Sequence, residues 1–95
     1  MEKITLHIVE PIGVHTKIAA GIVNIASQYE SDIFLTYNKE KVNLKSILNI
    51  LALGITCNSL VEIEISGLDE KKAMQSLFNY LYHNKIAKEV PALEY

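Results

Sequence analysis

Three stretches of strict alternation constrain this chain more than any other feature. At residues 2–9, Ile4, Leu6 and Ile8 fall on one side while Lys3, Thr5 and His7 fall on the other. Residues 32–37 repeat the pattern, with Ile33, Leu35 and Tyr37 against Asp32, Phe34 and Thr36. Residues 60–66 do so again, with Val61, Ile63 and Ile65 against Glu62, Glu64 and Ser66. A period of two puts apolar side chains on one face of a strand and leaves the other face wet. Such strands need a layer to cover their dry side, and the intervening sequence supplies it. Ile18, Ile22, Ile25 and Tyr29 recur at helical spacing, which predicts a helix from about Thr16 to Gln28. Met74, Leu77, Phe78 and Leu81 do the same after Asp69, an expected N-cap, and predict a closing helix to about residue 87.

Between these elements, Asn38-Lys39-Glu40 turns the chain and residues 41–44 return as a short strand, without the Asn-Gly signal of a two-residue hairpin. Ser46 and Gly54 bracket a short helix as N-cap and terminator. The order is strand, helix, strand, strand, helix, strand, helix, which packs as a two-layer α+β domain. The pattern fits a ferredoxin-like arrangement or a related open-faced sandwich, and it does not choose the strand order. Residues 1–88 read as one domain and residues 89–95 as a short tail.

The short helix is apolar almost all round. Ile47, Leu48 and Leu51 share a side, with Ile50 and Leu53 turned elsewhere. Two readings follow: an exposed apolar patch for a partner, or a helix wholly buried under a loop.

Composition narrows the function classes. A chain of 95 residues, 49% hydrophobic, carries a core of its own. Its net charge of −2 and the lack of a basic stripe argue against nucleic-acid binding. The lone Cys57 allows no intrachain disulfide and no zinc constellation, and fits a reducing compartment. No basic-then-apolar leader and no membrane-length apolar run occur, so a cytoplasmic protein without membrane insertion is expected.

The chemistry concentrates at Gly13-Val14-His15-Thr16-Lys17-Ile18-Ala19, where the first strand gives way to the first helix. Pro11 and Gly13 make the connecting loop. A helix start offers unpaired N–H groups and the positive end of the macrodipole, so an anion sits well there. Neutral imidazole is a usable nucleophile near neutral pH, and a histidine placed here can carry that anion covalently.

The same residues resemble the histidine-containing phosphocarrier family HPr of the bacterial sugar phosphotransferase system, from residue 2 to about residue 88. The family pattern Gly-x-His-x-Arg-Pro-Ala corresponds to Gly13 through Ala19. A second block, Val42-Asn43-Leu44-Lys45-Ser46-Ile47-Leu48, resembles the family's regulatory serine segment, and Leu53-Gly54 matches the end of the helix that follows. The resemblance implies a four-stranded antiparallel sheet of order 1-4-2-3 with three helices on one face. It implies that His15 accepts a phosphoryl group through Nδ1 from phosphorylated enzyme I and passes it to the enzyme IIA units of sugar permeases. Lys17 and the backbone amides of Thr16, Lys17 and Ile18 would hold the phosphoryl oxygens. Ser46 would be the target of a serine kinase, and Ile47, Leu48 and Leu51 the docking surface. No metal or organic cofactor is implied, and the protein would be a carrier, not an enzyme.

Two positions depart from the pattern. Lys17 replaces arginine, keeping the charge but losing the planar fork that grips phosphate with two bonds. Ile18 replaces proline, giving up the fixed φ and adding an N–H. Two other readings follow. One is a regulatory HPr-like module acting on a partner through Ser46 and its apolar helix, a role that would not need His15. The other is a ferredoxin-like small-ligand regulator without phosphate chemistry.

Overall fold

The structure is a computed structural model, and it describes residues 1–91. The three alternating stretches form β1 (Glu2–Ile8), β2 (Asp32–Tyr37) and β4 (Leu60–Ser66), and β3 (Glu40–Asn43) returns from β2. The helices are α1 (Thr16–Ala26), α2 (Ile47–Ala52) and α3 (Glu70–His83). The expected order 1-4-2-3 is present, extended by one strand: β5 (Ala87–Glu89) lies outside β1, and the sheet reads β3-β2-β4-β1-β5. Every neighbouring pair is antiparallel.

Alternation places Leu6, Ile8, Ile33, Leu35, Val61, Ile63 and Ile65 on the dry face, all buried. Ile18, Ala19 and Ile22 from α1, Ile50 from α2, and Ala73, Leu77 and Leu81 from α3 close over them in one apolar cluster. The buried stripe of α1 therefore runs through Ile18, Ala19, Ile22 and Ala26, while Ile25 and Tyr29 pack at its margin. The opposite face of the sheet is wet. There Lys41 reaches Glu64 at 3.2 Å and lies 5.0 Å from the Phe34 ring centroid.

Several local expectations are corrected. The closing helix stops at His83, short of residue 87, because Lys85 turns left-handed at φ +57°. Its N–H donates to the Tyr82 carbonyl at 3.1 Å and the Ile86 N–H to the Leu81 carbonyl at 2.8 Å. That is a Schellman ending, with lysine where glycine is usual. The turn frees residues 86–89 to reach β1, where Ile8 pairs with Ala87 and Leu6 with Glu89. The 88/89 boundary read from the sequence thus falls inside β5, and Ala92 to Tyr95 of the tail lie outside the described residues.

The β2–β3 turn is a two-residue hairpin despite its lack of glycine. Asn38 and Lys39 both take positive φ, at 52° and 70°, and Tyr37 pairs with Glu40. Positive φ at both central residues is the type I′ geometry that matches strand twist. The return strand is residues 40–43, one position earlier than expected, and Leu44 is buried just beyond it.

Asp69 sits at the N-cap of α3 but makes no side-chain cap bond. Its carboxylate instead accepts from the Glu30 N–H at 2.9 Å, the Ser31 N–H at 3.0 Å and the Ser31 hydroxyl. It clips the start of α3 to the chain between α1 and β2. Gly21 lets α1 approach α3 closely. A Cβ there would collide with the Tyr80 phenol of α3.

Candidate functional site

The loop between β1 and α1 is fixed from both ends. The Gly13 N–H donates to the Glu10 carbonyl at 2.9 Å, closing a turn with Pro11 at its second position. Proline presets the φ that this position needs. Gly13 then takes φ +81°, and a Cβ on it would run into the Ile55 carbonyl and lie 3.0 Å from Thr56 Cα. Glycine is required on both counts. The Val14 N–H donates to the Ile55 carbonyl at 3.0 Å, tying the loop to the segment after α2.

This turn delivers His15 as the N-cap of α1, with extended φ −94° and ψ −178°. Its carbonyl accepts the first helical bond, from the Ala19 N–H at 2.9 Å, and its imidazole makes no cap bond. The ring is therefore released from structural duty, with its side chain 34% exposed. Next along the chain come the amides of Thr16, Lys17 and Ile18, the first helical N–H groups, which have no carbonyl one turn earlier to accept from them. Thr16 and Lys17 are exposed. Ile18 joins them only through its amide, since its side chain is in the core.

His15 and Lys17 line a depression of about 210 Å³ together with Glu10, Ile18, Tyr80, Asn84 and Ile86. Glu10 brings Oε1 to 3.9 Å from His15 Nε2. Glu10, Tyr80 and Asn84 carry no signal of such a site in the sequence. The latter two come from the C-terminal end of α3, and only the packing of α3 beside α1 brings them here. The larger depression of about 560 Å³, bounded by Glu30 and residues 67–72, lies at the other end of α1. It holds no histidine, so size alone does not make it the site.

Ser46 lies apart from this constellation, as the N-cap of α2. Its hydroxyl accepts from the Asn49 N–H at 3.3 Å. The two readings of α2 are resolved by burial: Ile50 is fully buried, while Leu48 is 79% and Ile47 37% exposed. Leu51 is half-buried, at the margin between patch and core. The apolar surface beside Ser46 is real. Among the described residues, no group of histidine, cysteine, aspartate and glutamate is placed to hold a metal ion. No helix there is long and apolar enough to cross a membrane.

A helix start that offers free amides, a nearby lysine and an uncommitted imidazole is suited to holding a phosphoryl group on a ring nitrogen. Comparison with known proteins supplies the family. The sequence matches the family described as "PTS HPr component phosphorylation site" over residues 2–82. The chain belongs to the HPr family of phosphocarriers. Members of this family carry phosphoryl groups within the phosphotransferase system and are not enzymes. The fold superposes on the histidine-containing phosphocarrier protein of Mycoplasma with a TM-score of 0.88 and 26% identity, covering 92% of this chain and 99% of that one. HPr from Thermoanaerobacter tengcongensis is 34% identical with a TM-score of 0.82, covering 90% of this chain and 94% of that one. Crh, the Bacillus subtilis catabolite repression protein, is also similar, at 31% identity and a TM-score of 0.69, covering 78% of this chain and 85% of that one.

Proposed function

We propose that this HPr-family protein is a cytoplasmic carrier that takes a phosphoryl group from phosphorylated enzyme I onto His15 Nδ1 and passes it to enzyme IIA proteins. One observation supports it above the rest: His15 is the N-cap residue of α1 and its imidazole makes no cap bond, so the first helical amides, of Thr16, Lys17 and Ile18, are left without a partner next to it in the chain. On this reading those amides and Lys17 hold the phosphoryl oxygens, and the positive end of α1 offsets part of their charge. Ile47, Leu48 and Leu51 are the face offered to both partners, one loading and one unloading. The carrier needs no cofactor of its own.

The test follows intact mass after mixing the protein with enzyme I of the same organism, magnesium and phosphoenolpyruvate. A single acid-labile phosphoryl on the parent, absent from His15→Ala, is the expected result. A folded parent that takes no label would sink the proposal.

The similarity to Crh and the position of Ser46 favour a second role that coexists with the first. Phosphorylated by a serine kinase, Ser46 would place a dianion at the start of α2 without unfolding it. The charge would stand beside Leu48 and weaken docking to enzyme I and enzyme IIA. Retention of His15 argues against regulation as the only role, since that role has no use for an uncommitted imidazole.

A further inference from the structure

The His15 ring has a charged neighbour, Glu10, that the phosphohistidine chemistry described so far leaves idle. Its Oε1 lies 3.9 Å from His15 Nε2, and no other cation of the described residues is within ion-pair distance of it. Its backbone is pinned on both sides. The Glu10 N–H donates to the Ile86 carbonyl at 3.2 Å, and its carbonyl accepts from the Gly13 N–H at 2.9 Å. The Glu10 side chain is only 25% exposed. The turn that presents the histidine therefore also fixes the carboxylate beside one of its two ring nitrogens.

We propose that Glu10 is a positioning residue for His15, holding the ring with its proton on Nε2 and its lone pair on Nδ1. The proposal rests on His15 being the phosphoryl acceptor. A neutral imidazole carries one proton, and the two nitrogens compete for it. A carboxylate beside Nε2 is attracted to an N–H there and repelled by a lone pair there. The nucleophilic pair is left on Nδ1, on the other side of the ring.

The same charge acts during transfer. The Nδ1 lone pair forms the new bond to phosphorus, and the donor's bond to phosphorus breaks with its electron pair kept by the donor atom. No proton has to move. The ring keeps its Nε2 proton and gains positive charge, which Glu10 stabilises as a carboxylate behind an imidazole commonly does. Unloading reverses each change. Both groups are partly open to water, so the effect is that of a screened pair, about threefold in the rate of phosphoryl uptake.

The experiment labels the histidine ring nitrogens with ¹⁵N and records their shifts with the ring neutral, in the parent, Glu10→Gln and Glu10→Ala. Uptake of phosphoryl from enzyme I is timed on the same samples, and thermal melts show that all are folded. The proposal expects the parent ring almost wholly in the Nε2–H form. Both variants should move toward the mixture of free imidazole and load about threefold more slowly. A tautomer ratio and a loading rate that ignore both substitutions would overturn it while leaving His15 as the carrier. A biased ring in a parent that takes up no phosphoryl would overturn the carrier reading, and with it this role of Glu10.

Discussion

At the scale of single residues, the site depends on how few side chains are asked to do structural work. His15 accepts the first bond of α1 on its carbonyl without using its ring, and Ile18 commits its side chain to the core while leaving an amide at the helix start. That division shows how isoleucine can stand at a position where proline would give only φ and no N–H. Lys17 is the residue whose chemistry differs most from the family pattern. A lysine holds phosphate as a point charge, where arginine would offer two parallel bonds. Lys17→Ala should therefore slow phosphoryl uptake by about tenfold or more, since a charged hydrogen bond is worth about 1.5–3 kcal/mol. Lys17→Arg should load at least as fast as the parent. Timed mass spectra of the three proteins decide it, and equal rates for alanine and lysine would remove Lys17 from the site. His15 and Lys17 were legible in the sequence because one helix start brings them together. Glu10, Tyr80 and Asn84 were not, because a turn and a distant helix bring them there.

At the scale of elements, the sequence announced each alternating strand and each amphipathic helix but hid two of the turns between them. Both hidden turns place lysine in the left-handed region: Lys39 at φ 70° in the β2–β3 hairpin and Lys85 at φ 57° after α3. The usual signal for such a position is glycine, which enters it without a steric penalty. With lysine there, the hairpin type and the end of α3 could not be read, and neither could β5, a three-residue strand whose partner lies about eighty residues earlier. These positions also carry removable strain. Lys85→Gly and Lys39→Gly should each raise stability by about 0.5–1 kcal/mol, the balance between relief of the left-handed penalty and the greater freedom of unfolded glycine. Urea midpoints measure it directly, and a loss of stability from both would contradict the turn assignments. The short helix α2 gives the opposite case. Leu48 is so exposed that Leu48→Ala should change stability by less than about 0.5 kcal/mol. Its effect should appear instead as a weaker titration with enzyme I, because an exposed apolar side chain contributes only where a partner covers it.

At the scale of the whole molecule, the architecture leaves one end of α1 for the site and fastens the other. There Asp69 spans from the start of α3 to the amides of Glu30 and Ser31, while Lys45 donates to the Tyr29 carbonyl at 2.7 Å. The layered α+β class followed from periodicity alone. The fastening did not, because Asp69 looked like an ordinary helix cap and its partners lie 38 and 39 positions away. The fastening has a pH signature. The Ser31 hydroxyl, followed by the Glu30 and Ser31 amides, holds the Asp69 carboxyl below its ordinary value. The N-terminal ammonium of Met1, 2.9 Å away, and then the Gly67 N–H do the same for Glu70. A carboxyl whose folded pKa is depressed contributes its full stability above the unfolded value, near 4, and loses it as pH falls through the folded value. Stability should therefore be flat on this account around neutral pH and decline below about pH 4. Asp69→Asn should lower the urea midpoint at neutral pH and make the acid decline shallower, since part of what acid removes is already gone. Midpoints for parent and variant at about pH 7, 5, 4 and 3 separate the possibilities. Parallel acid declines would show that the carboxylate is bystander to the fold, and that the two loops are held together by packing alone.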